Sequence, residues 1–266
     1  NRTLTDPYEG QQLGEIWGYV VDGYFKTDEE ARNYKVDQSF VNQMINASAL
    51  DNGLHAGDLK FVDLDGNNKI EQTTSANDRK DMKVIGNSLP RYNYNFGISA
   101  DWYGIDFSVL FQGIGKQNWY PGAETSMFWG PYSRPYASFI PSDFMSQVWS
   151  EENTNAYFPR PRGYVALGSN RELAVVNTKY LQNLAYCRLK NLSIGYTLPD
   201  KWLSKIGFEK IRVYFSGENL LTFTKLHSDY IDPEQASASN SWKTSKSDAN
   251  IYPWAKTYSF GVDITF

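Results

Sequence analysis

The sequence holds very little of what metal or nucleophilic chemistry requires: one cysteine, Cys187, and two histidines, His55 and His227, in 266 residues. A single cysteine excludes an internal disulfide framework and a cysteine-based zinc site. Two histidines supply triad or histidine–metal chemistry only thinly, and no enzyme activity is expected. A run of about 18 apolar residues is also missing, which excludes transmembrane helices. Barrel strands are not excluded, because alternation hides their hydrophobicity from averages such as the mean hydropathy of -0.53. Basic residues are in no excess. The 26 Lys and Arg stand against 30 Asp and Glu, a net charge of -4 that argues against a nucleic-acid surface. The chain opens on Asn1 with no signal-peptide pattern, so it is expected to be a piece of a longer export product whose targeting segment lies elsewhere.

Aromatics, by contrast, are abundant, with 19 Tyr, 15 Phe and 8 Trp. Such a surplus suits interfacial girdles or sugar-stacking surfaces, and composition alone does not choose between them. The closing residues YSFGVDITF place Tyr258, Phe260, Val262, Ile264 and Phe266 on one side of a strict period-two pattern. A soluble sandwich rarely ends on such a strand with no polar tail to protect its edge. An outer-membrane barrel pairs its last strand with its first and has no such edge.

Four more segments repeat the pattern. Residues 91–101 align Tyr92, Tyr94, Phe96, Ile98 and Ala100 against Asn93, Asn95, Gly97, Ser99 and Asp101. Residues 105–113 align Ile105, Phe107, Val109 and Phe111 against Asp106, Ser108 and Gln112. Residues 184–197 and 209–219 do the same with Leu192, Ile194, Tyr196 and with Ile211, Val213, Phe215. Apart from the longer 184–197, the runs have about 9–11 residues, the length with which a tilted strand crosses a bilayer. Connections alternate between compact (102–104, 198–208) and long (114–183, 220–255). With strand 256–266 ending on the periplasmic side, the long connections and residues 1–90 fall outside the cell, as in outer-membrane barrels. The predicted fold class is therefore all-β: strands and long extracellular loops of a transmembrane antiparallel β-barrel. Five strands fall short of the roughly eight that a bacterial barrel needs, so the rest of the barrel is expected elsewhere. Parity turns Arg188 and Lys190 toward lipid, where they either snorkel to phosphates or are redirected by a bulge.

The segments GDLKFVDLDGNNKI (57–70), VIGNSLPRYNYNFG (84–97), RLKNLSIGYTLP (188–199), IRVYFSGENLLTFT (211–224) and DYIDPE (229–234) occur in that order before YPWAKTYSFGVDITF. Together they resemble the C-terminal third of the SusC-like TonB-dependent transporters of Bacteroidetes. The resemblance implies a plugged barrel of about 22 strands whose plug domain is absent from this chain. It also implies glycan or peptide import powered by the TonB complex, and a SusD-like lipoprotein capping the barrel at the cell surface.

Candidate sites follow. DLDGNNKI puts Asp63, Asp65, Asn67 and the Lys69 carbonyl at positions 1, 3, 5 and 7 of a loop like the first half of a calcium-binding EF-hand. Asn68 replaces the turn glycine. Thr74 stands at position 12, and Asp78 is the nearest later acid. A hard cation such as Ca2+ and a plain Asx-rich turn are both compatible with loop 63–74. In loop 114–183, Trp119, Tyr120, Trp129, Tyr132 and Tyr136 offer either a platform for substrate or partner, or rings that pack the loop. The cations of PRPRG (159–163) suit lipid-phosphate or partner contacts. Asp101, Asp106, Arg212, Glu218 and Asp263 are expected to line a wet lumen or meet the plug. Tyr258, Phe260 and Phe266 are expected to close the barrel, and the strand resembles the C-terminal aromatic signal read by barrel assembly in outer-membrane proteins. The sequon Asn46-Ala47-Ser48 is discounted for a bacterial host. The alternative function is a soluble aromatic-rich β module that binds polysaccharide at the cell surface.

Overall fold

In the computed structural model, residues 7–42, 53–73, 75–133, 140–162, 166–168, 171–203, 207–239 and 253–266 are described. The chain begins with β1 (Glu15–Tyr19) and β2 (Val21–Tyr24), followed by the short helix α1 (Asp28–Arg32). Thr27 starts α1 by accepting the Glu30 amide on its hydroxyl, and three acidic residues in the first turn complement the helix dipole. Next come β3 (Leu59–Phe61), β4 (Met82–Asn87), β5 (Arg91–Trp102), β6 (Ile105–Lys116), β7 (Asn118–Trp119) and helix α2 (Ser126–Trp129). The second half holds β8 (Gln182–Asn183), β9 (Tyr186–Thr197), α3 (Asp200–Leu203), β10 (Lys210–Thr224), α4 (Pro233–Ser239) and β11 (Thr257–Thr265).

The long strands form one antiparallel five-stranded sheet in the order β11-β10-β9-β6-β5. These are the five expected strands, in up-and-down order. β5 and β6 close on a two-residue hairpin, with Tyr103 at φ 47° and Gly104 at φ 84°. Positive φ at both positions is the type I′ geometry, whose twist matches that of the strands it joins. β10 continues to Thr224, beyond its expected end at 219, because a register shift between Glu218 and Leu221 lets pairing with β9 resume. Asn219 absorbs that irregularity at φ 54°.

The segments outside the sheet had no periodicity to follow in the sequence. Here their described parts fold onto one another as a second core. β1 pairs with β4, β2 with β3 and β7 with β8. Tyr19 bridges to Asn177, and the Val21 amide donates to the Thr178 hydroxyl at 3.0 Å. Trp17, Phe61, Trp119, Tyr120, Phe128, Trp129, Tyr132, Phe158 and Tyr180 fill this core. Its rings meet mostly edge to face, as Phe128 meets Trp129 at 4.8 Å and 88°.

Candidate functional site

The sheet has two chemically distinct faces, and the register makes each continuous across all five strands. On one face Ala100, Phe107, Ile194, Phe215 and Phe260 stand side by side, as do Trp102, Ile105, Tyr196, Val213 and Val262. On the other, Ser99, Ser108, Ser193, Ser216 and Ser259 form one in-register row of hydroxyls. Beside the serine row lies a charged cluster. Arg212 forks onto Asp106 (Nε–Oδ1 2.8 Å, Nη2–Oδ2 2.6 Å) and reaches Asp263 at 3.3 Å. Gly195 leaves room for this pair, since a Cβ there would lie 2.5 Å from Asp106 Oδ1 and 2.6 Å from Arg212 Nε. The apolar face is exposed in this chain, with Phe260 at 83% and Phe266 at 82%. Phe266 finds one aromatic neighbour in Phe208, with ring centroids 5.2 Å apart.

Arg188 and Lys190 do not face lipid. The β6–β9 register steps from Leu110↔Asn191 to Phe111↔Leu189, which leaves Lys190 as an inserted residue and reverses the parity of what precedes it. Of the two routes open from sequence, the bulge is the one taken. Arg188 turns to the polar face and is buried at 2% exposure. It binds Asp232 at 2.6 Å, Glu234 at 2.7 Å and the Thr222 hydroxyl at 2.9 Å. Lys190 joins Glu234 at 3.0 Å. Asp232 also caps α4 by accepting the Glu234 amide at 2.9 Å. The expected DYIDPE segment thus ties the β10–β11 connection to the sheet, a role its spacing did not reveal.

In the candidate cation loop, Asp63 accepts the amides of Gly66 and Asn68, each at 2.7 Å. Asn68 adopts the left-handed φ of 63° that its position requires. The third carboxylate is not Asp78. Asp63, Asp65 and Asp81 bring oxygens within 4.8 Å of one another. Asp78 instead turns its backbone carbonyl to the Thr73 hydroxyl. The residues after Asn67 form a longer excursion than a twelve-residue loop, so the acid that returns comes from 81. Asp81 is buried and accepts the amides of Leu64 (2.8 Å) and Glu71 (2.7 Å). Burial pushes its carboxyl up against the pull of those amides, and the charges of Asp65 and Asp63 add to the rise. Asn67 spends its side-chain amide on Asp65 and Glu71, and the Lys69 ammonium lies 3.8 Å from Glu71. Thr74 lies outside the described residues. Three clustered carboxylates repel one another, and a hard cation would relieve that repulsion.

The aromatic platform is corrected. Trp119, Tyr120, Trp129 and Tyr132 are buried in the second core, where their rings stack on protein. Tyr120 donates to the Leu173 carbonyl at 2.8 Å and the Trp129 indole to the Gly122 carbonyl at 2.9 Å. These rings pack the loops and are closed to a ligand; Tyr136 and the sequon at 46–48 lie outside the described residues. The PRPRG cations are also internal. Arg162 forks onto the buried Asp58 at 2.8 and 2.5 Å, and Arg160 donates to the Ala56 carbonyl at 3.3 Å.

No protein-family model matches the chain. TonB-dependent receptor P3 of Formosa agariphila is 29% identical over 264 residues, covering 97% of this chain and 22% of that protein. TonB-dependent receptor P39 of the same organism is 26% identical, covering 97% and 25%. Among solved structures, the RagAB peptide importer in its open-open state superposes with a TM-score of 0.53 at 19% identity. That match covers 95% of this chain and 22% of the other. Its closed-closed state gives a TM-score of 0.51 at 18% identity, covering 97% and 25%. The resemblance to TonB-dependent transporters thus runs along nearly the whole of this chain. The chain spans about a quarter or less of the length of the relatives it matches. The five-stranded sheet is a portion of an outer-membrane barrel wall, and its two faces acquire their meaning there. The continuous apolar rows are the side for lipid. The serine row and the Asp106–Arg212–Asp263 cluster are on the opposite, polar face, the side that a barrel turns to its interior.

Proposed function

We propose that this chain contributes wall strands and external loops to a TonB-dependent nutrient importer of the bacterial outer membrane. One observation carries the reading: five strands hold in-register apolar rows on one face and an in-register serine row beside a charged cluster on the other. Such a sheet is stable where one side meets hydrocarbon and the other meets water or a plug. The similarity to TonB-dependent receptors supports TonB as the energy source, and the fold likeness to a peptide importer supports a transport role. The chain does no bond-making chemistry in this reading. Its partners are the remaining barrel strands, the plug, the TonB complex and a SusD-like lipoprotein lid, and its cargo is a glycan or a peptide.

The soluble polysaccharide-binding alternative has lost its main support, because the described rings it would use for stacking are buried. Calcium at Asp63, Asp65 and Asp81 would serve as a structural ion that stiffens an external loop. Purification from native outer membranes in mild detergent, with mass spectrometry of the companions, tests the importer reading. A SusD-like lipoprotein should co-purify with the barrel and plug. Recovery of the polypeptide in the detergent-free soluble fraction, without companions, would contradict it.

A further inference from the structure

The second core contains a carboxyl whose ionised form its own partners would not balance. Glu172 and Asp58 are both fully buried, and one guanidinium, Arg162, is committed to Asp58 through two hydrogen bonds. Glu172 Oε2 accepts the Leu59 amide at 3.2 Å, while Oε1 has no hydrogen-bond partner among the described residues. The other groups facing Glu172 do not neutralise it. Arg160 contributes a weaker attraction and spends a donor on the Ala56 carbonyl. Tyr24 of β2, Tyr120, Tyr132 and Tyr180 face it as well, and burial holds each of their phenols neutral. An ionised Glu172 would therefore be an unpaired buried anion beside another carboxylate. A neutral carboxyl lacking one acceptor is far less costly.

We propose that Glu172 is a one-proton lock: the closed packing of β3 against segments 159–162 and 171–180 carries it neutral, and opening that junction releases its proton. Acid then tightens the junction and alkali loosens it. The chemistry agrees with the geometry, since burial first and the Asp58 charge second push the Glu172 carboxyl up to about 8. The sign follows from linkage. The closed state keeps its proton up to about that pH, whereas an opened Glu172 loses it above the ordinary value near 4.3. Stability of the junction is therefore greatest below about pH 4.3. It falls as pH rises between the two values and stays level above the higher one. This lock is independent of the cargo and of the importer reading, because it depends only on groups within the second core.

The test is hydrogen exchange at the Leu59 amide in the full-length protein in its native membrane, from pH 5.5 to 9.5 and corrected for intrinsic exchange. The opening constant should rise about tenfold per pH unit up to about pH 8 and then level. Glu172→Gln, which cannot ionise, should make the opening constant independent of pH. A wild-type profile without that slope, or the same slope in Glu172→Gln, would overturn the proposal. Infrared spectroscopy keeps the test decisive if the variant folds poorly. Wild-type protein at pH 7 should show the band of a protonated buried carboxyl, which disappears on alkalinisation, and its absence would equally overturn the proposal.

Discussion

At the scale of single residues, Arg188 shows how one inserted position changes a side chain's surroundings. Alternation alone turns it outward, and a bulge at Lys190 turns it inward onto Asp232 and Glu234. Bulges leave no mark in a hydrophobic pattern, so the sequence offered the event without deciding it. Replacing Arg188 by Met would leave the buried Asp232 and the Glu234 carboxylate without their guanidinium, at a cost of about 3–5 kcal/mol. Proteolysis of segment 226–239 should accelerate in Arg188→Met, while a surface variant such as Glu9→Gln should leave it unchanged. Gly195 offers a second case. Gly195→Val would force Arg212 from Asp106, and overpacking of this kind costs about 1–3 kcal/mol. Heat-modified mobility in gels should show a barrel that unfolds at lower temperature.

Among elements, the strands were legible and the loops were not. Strand faces follow from period two, and every apolar position named for 105–113 shares a face in the observed register. The loop segments carry aromatics at irregular spacing, which identifies neither an element nor a face. Trp119, Tyr120, Trp129 and Tyr132 could therefore be read as a platform when they are core. Trp129→Ala should cost about 3–5 kcal/mol by leaving a cavity. Its signature is faster hydrogen exchange throughout the second core, with no selective loss of one ligand. The cation loop was half legible. Asp63 and Asp65 follow the familiar spacing, whereas Asp81 returns from outside the expected twelve residues. If calcium binds there, saturating it should raise the loop's resistance to proteolysis by about 2.7 kcal/mol at 100 times the dissociation constant. Asp81→Asn should remove that gain, and no response to calcium in the wild type would leave the loop a plain Asx turn.

For the molecule as a whole, two cores obey different solvents. The loop core buries its rings in water's company by packing them on one another. The sheet leaves roughly 20 apolar side chains facing outward, worth about 1.5–3 kcal/mol each on burial, and only lipid can cover such a face in a barrel wall. The central claim is that this face lies in hydrocarbon and its opposite does not. Single cysteines placed along β11 in a Cys187→Ser background test it most directly, by labelling in native outer membranes with one lipid-soluble and one water-soluble reagent. Phe260→Cys, Val262→Cys and Ile264→Cys should take the lipid-soluble label, and Ser259→Cys and Asp263→Cys the water-soluble one. Uniform aqueous labelling, with no alternation along the strand, would contradict the membrane-spanning account.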